Sequence, residues 1–212
     1  MAGALLFPQI ARSAPAPFAA LEKQSGARIG VAAWDTGSGK HVSWRADERF
    51  LMCSTFKLSL VAATLAKVDS GREKLGRLVH YGADVPIGVS PATRKNVASG
   101  MTVAELCEAA MLYSDNGAAN TLLAALGGPR AMTAYWRGLG DRITRLDDIE
   151  LKLNIPDGDR NTTTPAAMFG NLKSLLVGNA LSPASRDRLL VWMGFVNLAH
   201  RAAWPEALAG LA

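Results

Sequence analysis

Phe50-Leu-Met-Cys-Ser54-Thr-Phe-Lys57 is the stretch that organises the rest of the chain. After Ser54, the apolar residues Leu58, Val61, Leu65 and Val68 recur at intervals of three or four, which is helical spacing. Ser54 then falls in a first turn and Lys57 one turn on, on the same face. A hydroxyl is a weak nucleophile until a neighbour takes its proton. An amine three residues along a helix can reach it, and the helix N-terminus favours the anion that develops there. The plainer reading is a serine that caps a helix. A lone Ser-x-x-Lys does not separate the two.

Size and composition narrow the field. The 212 residues suit one large domain or two small ones, and with 49% apolar and 19% charged residues they can bury a core. No apolar run approaches the roughly 18 residues that a membrane span needs. The formal charge is +5, but Arg72, Lys74, Arg94, Lys95, Arg137, Arg142 and Arg145 are scattered. No basic tract is interleaved with aromatics, so no nucleic-acid partner is expected. Cys53 and Cys107 allow at most one disulfide. Both stand in apolar, helix-forming surroundings and read as two buried free thiols, which leaves the redox compartment open. His41, His80 and His200 are far apart and no metal-ligand spacing occurs. No metal or other cofactor is expected.

In chain order, 1–17 reads as a signal-like or disordered leader. Its apolar start is broken by Pro8 and followed by Ala14-Pro-Ala-Pro17, a poor secretory signal. Phe18–Lys23 reads as a short helix. Arg28–Asp35 and Lys40–Arg45 read as strands, joined at Thr36-Gly-Ser-Gly39 by a hairpin turn. That turn lacks the spacing of a phosphate loop. Beyond Ser54 the signals are helical. Thr102-Val-Ala-Glu105 is a capping box opening a helix to about Leu112. Asn120–Leu126 is a helix closed by Gly127-Gly128, and Pro129 opens the next, with Met132, Tyr135, Trp136 and Leu139 facing inward. Thr164-Pro165 and Ser182-Pro183 each start one more. Asp141–Asn161 is long and aperiodic, and such a loop is usually functional or disordered. Two strands make no stable sheet alone, so helices must cover them or further strands must follow.

Two further motifs join the first. Tyr113-Ser114-Asp115-Asn116 falls at a break between helices, and Glu150-Leu-Lys-Leu-Asn154 lies inside the long loop. Ser-x-x-Lys, Ser-Asp-Asn and Glu-x-x-Leu-Asn, in this order, resemble the class A serine β-lactamases. Asp47-Glu-Arg-Phe50, Met101-Thr-Val-Ala-Glu-Leu106 and Thr162-Thr-Thr-Pro-Ala-Ala-Met168 agree, and the resemblance runs from about Phe18 to Met193. It implies an α/β (α+β) fold of the β-lactamase and transpeptidase type, a helical region beside an incomplete antiparallel sheet region. The regions would be 18–45 for the sheet part, 46–193 for the helical part carrying the site, and 194–212 for a divergent tail. It also implies a monomer, periplasmic or secreted, breaking down small-molecule β-lactams without a cofactor.

The resemblance assigns roles residue by residue. Ser54 would attack the β-lactam carbonyl. Lys57 would activate it, or Glu150 would do so through a water. Ser114 would pass a proton to the leaving nitrogen, and Asn116 would hold the substrate's side-chain amide. Glu150 would activate the hydrolytic water, and Asn154 would position it. Asp115 reads as structural.

Departures from the family bear on activity. After Met193 the text no longer follows it, and no Lys-Thr-Gly or Lys-Ser-Gly occurs. The resemblance then implies a chain truncated before its last strands and short of one oxyanion-hole donor, whose loss costs about 10²–10³ in turnover. Asp148 and Asn161 stand where the family has an Arg–Asp pair across the loop's neck, so that pair cannot form. Leu151 stands where Pro commonly follows the catalytic Glu with a cis bond, so the bond is cis before a residue that disfavours it or Glu150 points elsewhere. The leading expectation is a β-lactam hydrolase with weakened turnover. Two alternatives remain: an inactive or merely β-lactam-binding relic, and a penicillin-binding DD-peptidase, which would share Ser-x-x-Lys but not the Glu150 motif.

Overall fold

Helix α2 (Phe56–Asp69) is the axis of the molecule. Phe56, Leu60, Val61 and Leu65 have no exposed surface, and Lys57, Ser59 and Thr64 are buried with them. The spacing suggested one apolar stripe. The helix is instead enclosed on nearly every side, as befits a core helix rather than a surface one. In the computed structural model residues 16–194 are described. Residues 1–15 and 195–212, which hold most of the expected leader and divergent tail and His200, lie outside the described residues.

The chain reaches α2 through α1 (Ala16–Ser25), β1 (Val31–Trp34) and β2 (His41–Trp44). The hairpin forms where turn chemistry placed it, antiparallel, with Val31 opposite Trp44 and Trp34 opposite His41. Its cover is helical and aromatic. His41 stacks on Trp34 at 5.9 Å and meets the edge of Phe169 at 6.2 Å, and Phe18 stacks on Trp44 at 6.2 Å. Two pairings of two residues each brace the helices: β3 (Phe50–Leu51) with β6 (Thr162–Thr163), and β4 (Leu78–Val79) with β5 (Met101–Thr102).

The remaining helices are α3 (Pro91–Lys95), α4 (Val103–Leu112), α5 (Asn116–Leu126), α6 (Gly128–Gly138), α7 (Pro165–Leu176) and α8 (Pro183–Trp192). Helices α4, α5, α6 and α8 pack on α2, and α7 packs on β1. Their starts follow the caps. Thr102 Oγ1 accepts from Glu105 N at 3.2 Å while Glu105 Oε2 accepts from Thr102 N at 2.7 Å. Thr164 and Ser182 cap α7 and α8 at 3.1 and 3.2 Å. Such a cap is worth about 1 kcal/mol. Met132 and Trp136 are fully buried.

Two differences from expectation concern caps. Helix α5 starts at Asn116 rather than Asn120 because Asp115 caps it, accepting from Ala118 N at 2.9 Å. Helix α3 went unforeseen, although Ser90-Pro91 carries the same polar-then-proline signal as α7 and α8. No helix among the described residues is long and apolar enough to cross a membrane.

Candidate active site

Ser54 sits in a 3-10 turn, Cys53–Thr55, that runs into α2. The turn is tight. Cys53 adopts a left-handed φ of 44°, a conformation uncommon for a non-glycine residue and found where surrounding structure enforces it. Its thiol is exposed and free, whereas Cys107 is buried. The expectation of two buried thiols therefore fails at Cys53, because the turn that lifts Ser54 out of the core lifts Cys53 with it.

Lys57 is 2% exposed and its Nζ faces five oxygens. They are Ser54 Oγ at 3.2 Å, Ser114 Oγ at 3.0 Å, Ser114 O at 2.7 Å, Asn116 Oδ1 at 2.7 Å and Glu150 Oε1 at 3.0 Å. An ammonium has three N–H groups, so it cannot serve all five at once. A nitrogen so placed can exchange protons between two hydroxyls and a carboxylate with little motion. Burial pulls Lys57 below the usual lysine range, and the facing Glu150 opposes that pull. Both hydroxyls and the carboxylate thus lie within a hydrogen-bond length of one nitrogen.

Ser114 joins α4 to α5 with φ 52°, which turns its carbonyl and hydroxyl onto Lys57. Asp115 behind it is fully buried. Its carboxylate accepts from Ala92 N (2.9 Å), Thr93 N (3.0 Å), Thr93 Oγ1 (2.8 Å) and Ala118 N (2.9 Å). It caps two helices and pins the serine between them, a structural task. Asn116 is 6% exposed. With its Oδ1 accepting from Lys57, its Nδ2 is the end left to donate.

Glu150, 2% exposed, comes from the long loop. The Glu150–Leu151 bond is cis, and Glu150 faces Lys57. Of the two outcomes that Leu151 left open, the cis one holds. Asn154 Nδ2 donates to Glu150 Oε2 at 2.7 Å. The residue that sequence reasoning missed is Asn120. Its Oδ1 accepts from Glu150 N and its Nδ2 donates to Glu150 O, both at 3.0 Å. It lies four residues after Asn116 on α5, hence on the same face. An amide at that spacing in an otherwise apolar helix was the available signal.

An Arg–Asp pair between positions 148 and 161 is absent, as those residues dictate, but another polar set, the Arg160–Asp148 ion pair included, closes the neck. Asn161, 1% exposed with φ 58°, accepts at Oδ1 from Asp147 N (2.9 Å) and Asp148 N (3.0 Å) and donates from Nδ2 to Asp148 Oδ2 (3.0 Å). Its carbonyl accepts from Met52 N at 3.0 Å, two residues before Ser54. Lys152 at 2.9 Å, Asn161, and Arg160 at 2.8 Å hold the Asp148 carboxyl well below the usual carboxylate range. Position 148 is thus a carboxylate met by two cations and an amide.

Among the described residues no cluster of three His, Cys, Asp or Glu side chains could hold a metal ion. The arrangement suits acyl transfer: a hydroxyl with an amine beside it, a second hydroxyl, and a carboxylate with an amide holding it.

Comparison with known proteins points the same way. The profile of the β-lactamase enzyme family matches residues 16–203. An ancestral class A β-lactamase, of the last common ancestor of Gram-negative bacteria, is 54% identical with a TM-score of 0.82, over 89% of this chain and 75% of that one. A second structure from that ancestor gives 53% and 0.83, over 90% and 74%. A Rhodopseudomonas palustris protein provisionally assigned to class A gives 52% and 0.79, over 82% and 67%.

Proposed function

This chain belongs to the class A serine β-lactamases, which hydrolyse β-lactam amides through an acyl-serine, and from that premise we propose that Ser54 is the residue acylated. Ser54 Oγ attacks the lactam carbonyl carbon and its proton passes to Lys57, or through a water to Glu150. The Ser54 N–H is the backbone donor this reading offers to the developing oxyanion. As the C–N bond breaks, Ser114 Oγ delivers a proton to the departing nitrogen and is resupplied by Lys57. Glu150 then takes a proton from water, which attacks the ester and frees Ser54. Asn154 holds the Glu150 carboxylate, and the Asn116 amide donates to the substrate's side-chain carbonyl.

The observation that carries this reading is the single buried amine 3.2 Å from Ser54 Oγ, 3.0 Å from Ser114 Oγ and 3.0 Å from Glu150 Oε1. It favours a hydrolase over a DD-peptidase, because a carboxylate beside the nucleophile's amine gives deacylation a base. Family habit supports the wider proposal of a monomer, periplasmic or secreted, that confers β-lactam resistance.

The test is to mix the purified chain with a penicillin and a cephalosporin and follow its mass. A transient adduct on the Ser54 peptide with ring-opened product is expected, and no adduct in Ser54→Ala. Unaltered hydrolysis by Ser54→Ala would end the proposal, and a lasting wild-type adduct would favour the peptidase.

A further inference from the structure

A cavity of about 660 Å³ lies between α5 and the 79–87 segment. None of Ser54, Lys57, Ser114 or Glu150 lines it. Its size is that of a small-molecule site, and such sites pair apolar walls with a few placed polar groups. Here Val85, Ile87, Ala124, Ala125 and Ile149 supply the apolar wall. Ile149 is 49% exposed, so apolar surface stands open to water. Three titratable side chains line it as well, Asp84, Tyr81 and His80, and of these Asp84 carries the formal charge. Asp84 is an exposed carboxylate with no ion-pair or hydrogen-bond partner among the described residues. Tyr81 is held by its hydroxyl, which donates to Thr93 O at 3.0 Å. A carboxylate and an aromatic ring that share one apolar groove are the chemistry that recognises an alkylammonium.

We propose that this groove binds cationic amphiphiles, the ammonium head at Asp84 and Tyr81 and the alkyl body along α5 against Ile149. The groove also touches the catalytic loop. Asn120, whose amide holds both backbone groups of Glu150, lines it, and Ile149 immediately precedes Glu150. An occupant therefore bears on the two residues that set the Glu150 backbone, and it changes the rate at which the acyl-enzyme breaks down. The effect on hydrolysis rests on the function proposed above; the binding does not.

The test uses octyltrimethylammonium below its micelle concentration, with octyl glucoside and octanoate as neutral and anionic heads on similar tails. Binding to the whole chain is followed by calorimetry and amide NMR. Saturable one-site binding of the ammonium is expected, with shifts centred on Tyr81, Thr121 and Ala125. Asp84→Asn should weaken it about three- to fivefold, the scale of an exposed ion pair, and Ala125→Trp should abolish it while Ser54 is still acylated. Equal binding of octanoate, binding retained in Ala125→Trp, or loss of binding on acylation of Ser54 would each overturn the site. At saturation, deacylation should change at least about twofold with acylation unchanged. An unchanged deacylation rate overturns the coupling alone. Absence of hydrolysis in the untreated protein would count against the proposed function and leave the titration intact.

Discussion

The two halves of the proposed catalytic centre are held by different forces. Ser54, Lys57, Ser114 and Asn116 hang on α2 and on the junction of α4 with α5, where Phe56, Leu60, Leu106 and Leu123 are fully buried. Glu150 and Asn154 ride on a segment whose regular structure is one 3-10 turn, Lys152–Asn154. Leu153 buries it on the core, and polar groups aim the rest: Asn120 on Glu150, Asn161 on Asp147 and Asp148, Lys152 and Arg160 on Asp148. Apolar burial is non-directional and spread over many contacts. Amide bonds are directional and few, so each one lost is felt at the group it aims. Damage to the helical half should therefore appear as lost stability. Damage to the loop half should appear as a catalytic defect in one step.

The sharpest way to break that contrast is Glu150→Gln. The amide keeps the shape but not the base, and a positioned base is worth about 10²–10⁴. Deacylation should fall by that order, so that a Ser54 adduct accumulates and persists on rapid-quench mass analysis, while the thermal midpoint barely moves. If acylation falls equally, Glu150 and not Lys57 is the base for both steps, and the halves are not separable by step.

Asp115→Ala probes the helical half. It strands Thr93 N and Ala118 N in a buried place and Ala92 N in a half-buried one. At about 1–3 kcal/mol for each buried group left unmade, with partial relaxation, a loss near 3–4 kcal/mol is expected in urea unfolding. Acylation and deacylation should drop together as Ser114 is released. A normal midpoint would show that burial alone holds this junction.

Asn161→Asp is a smaller test, at the neck. The family's usual Asp at this position would here face Asp148, replacing a 3.0 Å hydrogen bond by repulsion. A loss of about 1–2 kcal/mol is expected, with deacylation about tenfold slower, the rate equivalent of about 1.4 kcal/mol. Adding Asp148→Arg should recover most of both, a coupling that a double-mutant cycle reads directly. No recovery would mean that Lys152 and Arg160 have fixed the neck to its present charge.

The same division explains what could be read in the sequence. Helix α2, the capping box at Thr102 and the starts of α7 and α8 were legible because period and cap are local chemistry. So was the grouping of Ser54, Lys57, Ser114, Glu150, Asn116 and Asn154, though by family resemblance and not by spacing. The start of α5 was misplaced because Asp115 was read as part of a break between helices when it is the cap. Asn120 and Asn161 stayed hidden as anchors, since an amide's partners are 30 and 13–14 residues away along the chain. The β3–β6 and β4–β5 pairings are two residues long, too short for an alternating pattern to register.

The smallest expected effects are in the pH dependence of stability, where each half should own a different limb. On the loop side, Lys152, Asn161 and Arg160 lower the Asp148 carboxyl. Its stabilisation is complete above the unfolded value of about 3.9 and is lost as pH falls through the lower folded value. On the helical side, burial lowers Lys57. Between its folded value and the unfolded value of about 10.4, the unfolded chain binds the extra proton, so stability rises with pH through that window. Thermal midpoints against pH should thus lose part of their acid slope in Asp148→Asn and part of their alkaline rise in Lys57→Gln, each leaving the other limb as in the wild type. If Asp148→Asn flattens the alkaline limb instead, the neck is controlling the amine, and the two halves are coupled more tightly than the few bonds between them account for.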